Sequence, residues 1–105
     1  MPQFDVCKNR DSATRSRFPL LLDVQSDLLG ILTTRVVVPL SPAPADDGGV
    51  IKQLTPVLTI DSKRYRMVTP QLAGISTREL GQVITNVAHQ RPAIIAALDL
   101  LFTGI

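Results

Sequence analysis

Short apolar runs alternate with polar turn residues through the first half of the chain, a pattern typical of a protein built from β-strands. Residues 4–8 alternate apolar and polar side chains, as a half-buried strand does. Residues 18–24 are mostly apolar, and residues 34–40 contain three consecutive valines that favour a buried strand. Pro39 predicts a sheet edge at the far end of this third strand, because proline cannot donate a ladder hydrogen bond. Loops are predicted between these runs, at residues 9–16 and 41–49.

Two further strand-like runs, residues 54–60 and 63–68, are joined only by Asp61 and Ser62. A two-residue polar link between such runs predicts a tight β-hairpin. The alternation within the runs gives one inward-facing set, made of Leu58, Ile60, Tyr65 and Met67. The residues expected to face water are Thr59, Arg64 and Arg66.

The last part of the chain predicts an amphipathic helix that begins near His89. Pro92 fits only in its first turn, and Gly104 is suited to end it. Residues 75–87 before it predict a strand followed by irregular structure, because Gly81 interrupts any helix there. The apolar residues recur at spacings of three and four, which places them on one helix face. That face consists of Ile94, Ile95, Leu98, Leu101, Phe102 and Ile105.

Strands first and a single helix last predict a mainly β fold, a small antiparallel barrel or sheet with the C-terminal helix packed on it. The apolar helix face is larger than a small barrel needs to cover. Part of it is therefore expected to pair with its symmetry mate in a homodimer. Phe102 and Ile105 either complete the core or the dimer seam, or form a contact site for a partner, and the residues alone leave both roles open.

Composition places the chain among globular proteins, since 45% of its 105 residues are hydrophobic and 19% are charged, and one domain spanning residues 1–105 is expected. No apolar run approaches the ~20 residues of a membrane span, and residues 1–5 lack the pattern of a secretory signal. Cys7 is the single cysteine, which suits a reducing compartment and predicts a cytoplasmic protein. A net charge of +2 with 4% aromatic residues argues against a dedicated nucleic-acid surface.

Catalytic and metal-binding patterns are scarce, which favours a binding protein over an enzyme. The sequence has no metal-ligand spacing and no phosphate-binding loop, so no cofactor is expected. Cys7 lies in a predicted strand without a nearby base, and His89 fits a cap or surface residue better than a general base. Asp23 and Asp27 are four residues apart, but the residues between them predict a turn in which Asp27 or Ser26 caps backbone N–H groups.

Several segments are similar, in the same order, to the CcdB-type toxins of bacterial toxin–antitoxin modules. The Asp-Val-Gln-Ser-Asp run at residues 23–27 and the terminal Gly-Ile are the most specific matches, whereas residues 41–49 have no distinctive counterpart. The similarity otherwise covers nearly the whole chain, in residues 18–29, 34–40, 54–60, 65–69 and 94–105. It implies a small antiparallel SH3-like barrel of the CcdB/Kid kind that forms a homodimer.

The resemblance implies a toxin that is not an enzyme. Such proteins bind the A subunit of DNA gyrase and trap it after DNA cleavage and before religation. A cognate antitoxin neutralises them, partly through a disordered segment that folds on the toxin. The toxin–antitoxin pair represses its own operon, and the antitoxin makes the contacts with operator DNA. No membrane partner is implied.

Position by position, the resemblance implies a gyrase-binding set made of Ser26, Leu28, Leu29, Asp99, Thr103, Gly104 and Ile105. It also implies a dimer interface that includes Leu101, Gly104 and Ile105. The best-known plasmid members carry tryptophan at the position of Thr103 and asparagine at the position of Asp99. A tryptophan can stack on a partner's guanidinium, which threonine cannot do, whereas Asp99 offers a carboxylate to a cationic group. Gyrase binding that is weaker or differently arranged is therefore expected.

Two other functions stay open at this point. The first is an endoribonuclease of the MazF/Kid type, a related barrel, which needs an acid and a base positioned near cationic groups. Its candidate residues are His89, Arg64, Arg66 and Asp61. The second is an inactive homologue that only binds an antitoxin, and its expression without antitoxin would leave cells unharmed.

Overall fold

The computed structural model describes residues 2–43 and 52–104. The predicted loop at residues 41–49 lies mostly outside these ranges, as does Ile105. Within them, seven strands precede one α-helix: β1 (Asp5–Asn9), β2 (Leu20–Asp23), β3 (Thr34–Pro42), β4 (Val57–Ile60), β5 (Lys63–Met67), β6 (Ala73–Ser76), β7 (Leu80–Asn86) and α1 (Arg91–Thr103). Short 3-10 turns occupy residues 27–29, 69–71, 77–79 and 88–90.

One antiparallel sheet contains all of these strands, in the order β4-β5-β3-β2-β1-β7, and β6 pairs with β3 as well. Strands β6 and β7 lie on opposite sides of the three strands β3, β2 and β1, yet only residues 77–79 connect them. So short a link requires the sheet to curl until its two flanks meet, which gives a small, partly open SH3-like barrel. The prediction of a mainly β fold with a C-terminal helix is confirmed.

The two faces of the curled sheet carry separate cores, because side chains alternate along each strand. On β1, Val6 belongs to the larger core and its neighbour Cys7 to the smaller one. The larger core is covered by α1, through Ile94 and Ala97, and by the β4–β5 hairpin. The buried members of the smaller core are Cys7, Leu21 and Val37.

The predicted β4–β5 hairpin is confirmed, with Ile60 paired to Lys63 across the turn. Asp61 and Ser62 both adopt positive φ, of 50° and 66°, as a two-residue type I′ turn requires. The inward-facing set is also confirmed, since Leu58, Ile60 and Met67 are buried and Tyr65 is half-buried.

The predicted C-terminal helix is confirmed as α1, with Pro92 in its first turn. Gly104 ends it in the left-handed conformation, with φ of 74°, and its N–H donates to the carbonyl of Leu100 at 3.0 Å. In the described part of the chain, no helix is long and apolar enough to cross a membrane.

The prediction of irregular structure in the second half of residues 75–87 is wrong, because residues 80–86 form β7 alongside β1. Gly81 does not break this strand. A Cβ there would lie 2.8 Å from the carbonyl oxygen of Lys8, so glycine is what allows the two strands to approach so closely. The pairing register shifts between Val6 and Cys7 and again before Asn9, and such irregularities bend a strand around a barrel.

The prediction of a sheet edge at Pro39 is also wrong, because this residue is buried in the middle of the sheet opposite Leu21. On the other side of β3, the carbonyl of Pro39 accepts from the N–H of Val68 at 3.0 Å. That position falls between the segment of β3 that pairs with β6 and the segment that pairs with β5. No strand partner needs an N–H from residue 39 there, which explains how a central strand tolerates proline.

Candidate protein-binding surface

The segment between β2 and β3, residues 26–33, presents an unusual row of large apolar side chains to solvent, and we call it the apolar loop. Leu28 is 91% exposed and Ile31 is 94% exposed, while Leu29 and Leu32 are each exposed by nearly half, at 48% and 46%. Single exposed leucines are ordinary, but four within five residues form a patch of the kind that marks a protein contact.

Backbone hydrogen bonds fix the apolar loop as a tight turn. The hydroxyl of Ser26 accepts from the N–H of Leu28 at 3.2 Å and caps the 3-10 turn at residues 27–29. The N–H groups of Leu29, Gly30 and Leu32 donate to carbonyls three residues earlier. The predicted capping by Ser26 is therefore confirmed.

The start of the chain ties the apolar loop to the barrel from one side. The N–H of Gln3 donates to the carboxylate of Asp27 at 2.6 Å, and its side-chain amide donates to the carbonyl of Val24 at 3.1 Å. The amide of Asn86, at the end of β7, donates to the carbonyl of Gln3 at 3.0 Å. Of the two predicted capping residues, Ser26 caps the turn, whereas the carboxylate of Asp27 receives the N–H of a residue 24 positions away in the sequence.

The end of α1 forms a second exposed region. Phe102 is 68% exposed, and Asp99, one turn earlier, is exposed as well. The hydroxyl of Thr103 donates to the carbonyl of Asp99 at 2.7 Å, so this side chain satisfies its own helix. Leu101 is half-buried and Gly104 is exposed. Phe102 therefore does not complete the core of the single chain, and its exposure agrees both with a dimer seam and with a contact site for a partner.

The residues assigned to gyrase binding thus fall into two groups within one chain. Ser26, Leu28 and Leu29 belong to the apolar loop, whereas Asp99, Thr103 and Gly104 lie at the end of α1. In residues 2–43 and 52–104, no hydrogen bond or ion pair links the two groups.

A buried ion pair supports the base of the apolar loop, and the sequence alone did not predict it. The Nε of Arg35 donates to a carboxylate oxygen of Asp23 at 2.7 Å, and the two side chains are only 3% and 0% exposed. The other oxygen of Asp23 accepts from the N–H of Gln25 at 2.9 Å. Asp23 is the last residue of β2, directly before the residues that were predicted to form a turn.

The candidate catalytic groups lie on the β4–β5 hairpin, which carries Asp61, Arg64 and Arg66, and at His89 just before α1. His89 is exposed, and its Nε2 lies 3.3 Å from the amide nitrogen of Gln90. Gln90 in turn bonds the backbone of Thr59 on β4, so His89 is close to the hairpin, but no buried carboxylate orients its ring. No group of three His, Cys, Asp or Glu residues in these ranges could hold a metal ion.

The thiol of Cys7 is buried in the smaller core, and this burial raises its pKa from 9.0 to about 11. The unfolded chain therefore loses the thiol proton at lower pH than the folded chain, which destabilises the fold as the pH rises from about 9 to about 11. We expect this thiol to remove roughly 2–3 kcal/mol from the free energy of unfolding across that window. Urea denaturation of the native chain and of Cys7→Ala on either side of the window measures it, and an equal pH dependence in both proteins would contradict the prediction.

One family model, described as CcdB protein, matches residues 3–104, which is nearly the full length of the chain. The match includes the apolar loop, the buried ion pair and all of α1.

Proposed function

We propose, because this chain belongs to the CcdB family of toxins from bacterial toxin–antitoxin modules, that it binds the A subunit of DNA gyrase and traps the cleaved gyrase–DNA complex. The observation that carries the proposal is the solvent-exposed apolar loop, whose Leu28 is 91% exposed at a position assigned to gyrase contact. A residue of this type gains nothing from exposure in the free protein, but it supplies binding energy when a partner covers it.

The proposed mechanism is binding without chemistry. Gyrase passes through a state in which the DNA is cut and the A subunits are separated. A protein that binds this state better than the others increases its population in proportion to the difference in affinity. The toxin therefore needs a complementary surface and no reacting group, in keeping with the exposed, unoriented His89.

The second part of this surface is the end of α1. With Thr103 bonded back to its own helix, the exposed groups that remain are the ring of Phe102 and the carboxylate of Asp99, three positions apart on one face. An aromatic ring and a carboxylate both attract a cationic side chain. Phe102 and Asp99 thereby offset part of the binding energy that is lost because this chain has Thr103 where the plasmid toxins carry tryptophan.

We propose a homodimer as the active species, with Leu101, Gly104 and Ile105 at its interface. Leu101 is only half-buried in one chain, so a second copy would cover the remainder of its side chain. A two-fold axis at this point would place both helix ends side by side, facing the symmetric pair of gyrase A subunits. The apolar loops would flank them.

Neutralisation by a cognate antitoxin belongs to the same proposal. A disordered antitoxin segment that folds over the apolar loop would compete directly with gyrase for Leu28 and Leu29. The contacts with operator DNA would come from the antitoxin, which agrees with the small positive charge of this chain, +2.

The purified protein, added to gyrase, ATP and supercoiled plasmid, is expected to produce linear DNA once the complexes are denatured. The matched control is a chain that lacks residues 103–105. Thr103 and Gly104 are exposed, so the truncated protein is expected to keep its fold and its far-UV spectrum while producing no linear DNA. Absence of both DNA cleavage and binding to the A subunit with the intact protein would refute the proposed function.

A further inference from the structure

We infer that Gln25 is a positioning residue that holds the apolar loop in the conformation in which it binds its target. The inference rests on the proposed function for the identity of that target, the gyrase A subunit. Gln25 lies two residues after the end of β2 and directly before the apolar loop. Although its side chain is polar, the residue is only 6% exposed.

The side-chain amide of Gln25 bridges the sheet and the apolar loop. Its oxygen accepts from the N–H of Val36 on β3 at 3.1 Å, and its nitrogen donates to the carbonyl of Leu29 at 3.0 Å. Val36 can only donate and Leu29 can only accept at these atoms, so the orientation of the amide is unambiguous. One side chain thus fixes the end of the 3-10 turn at residues 27–29 to a central strand.

The backbone of Gln25 is held by the buried ion pair. Its N–H donates to Asp23 at 2.9 Å, and its carbonyl accepts from the Nη2 of Arg35 at 3.4 Å. Every polar group of Gln25 is therefore bonded, and the rigid barrel determines where its amide points. Asp23 and Arg35 fix the backbone of Gln25 at the base of the apolar loop, and the side-chain amide of Gln25 in turn fixes the position of Leu29.

This arrangement matters for binding because the apolar loop has no core contacts of its own to order it. Without the bond at Leu29, the exposed side chains of Leu28 and Ile31 would be free to fold back over the barrel rim and bury part of their surface. A partner would then have to reverse that collapse and order the loop again, both of which cost affinity. Gln25 removes this cost in advance.

Gln25→Met tests the inference, because it keeps the length of the side chain and removes both hydrogen bonds. The control is Gln90→Met, the same chemical change at a partly buried glutamine whose amide also bridges two backbone groups, the N–H and the carbonyl of Thr59 on β4, and makes no bond with the apolar loop. In Gln25→Met we expect hydrogen exchange at the Gly30 and Leu32 amides to accelerate about tenfold or more, while amides of β1 and β2 keep their native rates. Affinity for the gyrase A subunit should fall roughly tenfold, and Gln90→Met should change neither the exchange rates in the apolar loop nor the affinity.

A double-mutant cycle separates positioning from general stability. In a Leu28→Ala background the loop has lost its main anchor, so Gln25→Met should cost less affinity there than in the native chain. Gln25→Asn, whose amide is too short to reach both partners, should act in the same direction and serves if the methionine variant fails to fold. Unchanged exchange in the loop, or equal affinity losses in both backgrounds, would overturn the inference. If the native protein does not bind the A subunit, the proposed function fails, and the exchange rates still decide whether Gln25 holds the loop.

Discussion

Replacing Arg35 by methionine is expected to lower the free energy of unfolding by about 3–5 kcal/mol. The substitution leaves the carboxylate of Asp23 fully buried, 0% exposed, without the guanidinium that lies 2.7 Å from it. It also removes the donor to the carbonyl of Gln25. A domain of this size is typically stable by only about 5–15 kcal/mol, so the variant should be close to its unfolding transition at body temperature.

Urea denaturation followed by circular dichroism measures this loss, and Arg15→Met is the matched control. Arg15 is exposed in the predicted polar loop, so its replacement should change stability by no more than about 0.5 kcal/mol. The double variant Asp23→Leu/Arg35→Met should recover part of the loss, since no buried charge is then left unpaired. An Arg35→Met protein within about 1 kcal/mol of the native chain would show that water reaches Asp23 and that the pair is not as buried as its geometry implies.

The elements that the sequence predicted well are those decided by local chemistry. Asp61 and Ser62 accept positive φ between two alternating runs, and no distant residue is needed to make that turn. The spacing of apolar residues and the terminal Gly104 define α1 in the same local way. The pattern does not predict β7 because its pairing depends on a close approach between Gly81 and Lys8, two residues that are far apart in the sequence. Pro39 was misplaced because its tolerance depends on where β6 ends and β5 begins.

The candidate site was predicted in part, and the reason for its limits is similar. The resemblance identified Leu28 and Leu29, but a run of apolar residues looks the same in sequence whether it is buried or exposed. Nothing in the pattern showed that Ile31 would be 94% exposed. The pair of Asp23 with Arg35 spans 12 residues and forms only when β2 and β3 adopt their register, so spacing alone did not reveal it.

Replacing Leu28 by aspartate is expected to leave the fold intact and to weaken binding to the gyrase A subunit by about a hundredfold or more. Leu28 is 91% exposed, so the free protein loses almost no packing, and the stability change should stay within about 0.5 kcal/mol. In the complex the same change removes an apolar anchor worth roughly 1.5–3 kcal/mol and introduces a carboxylate that must lose its water. A hundredfold loss corresponds to about 2.7 kcal/mol, which these two effects together supply.

Titration calorimetry with the A subunit and growth arrest on expression both measure this effect, with Ser12→Asp as the control. Ser12 is exposed in the connection between β1 and β2, which lies at the opposite end of β2 from the apolar loop, so the same added charge there should alter neither binding nor toxicity. A stable Leu28→Asp protein that still arrests growth and binds the A subunit normally would contradict the assignment of the apolar loop to gyrase. The stability measurement excludes unfolding as the cause. Loss of binding in Leu28→Asp but not in Ser12→Asp would therefore place the apolar loop in the interface with the A subunit.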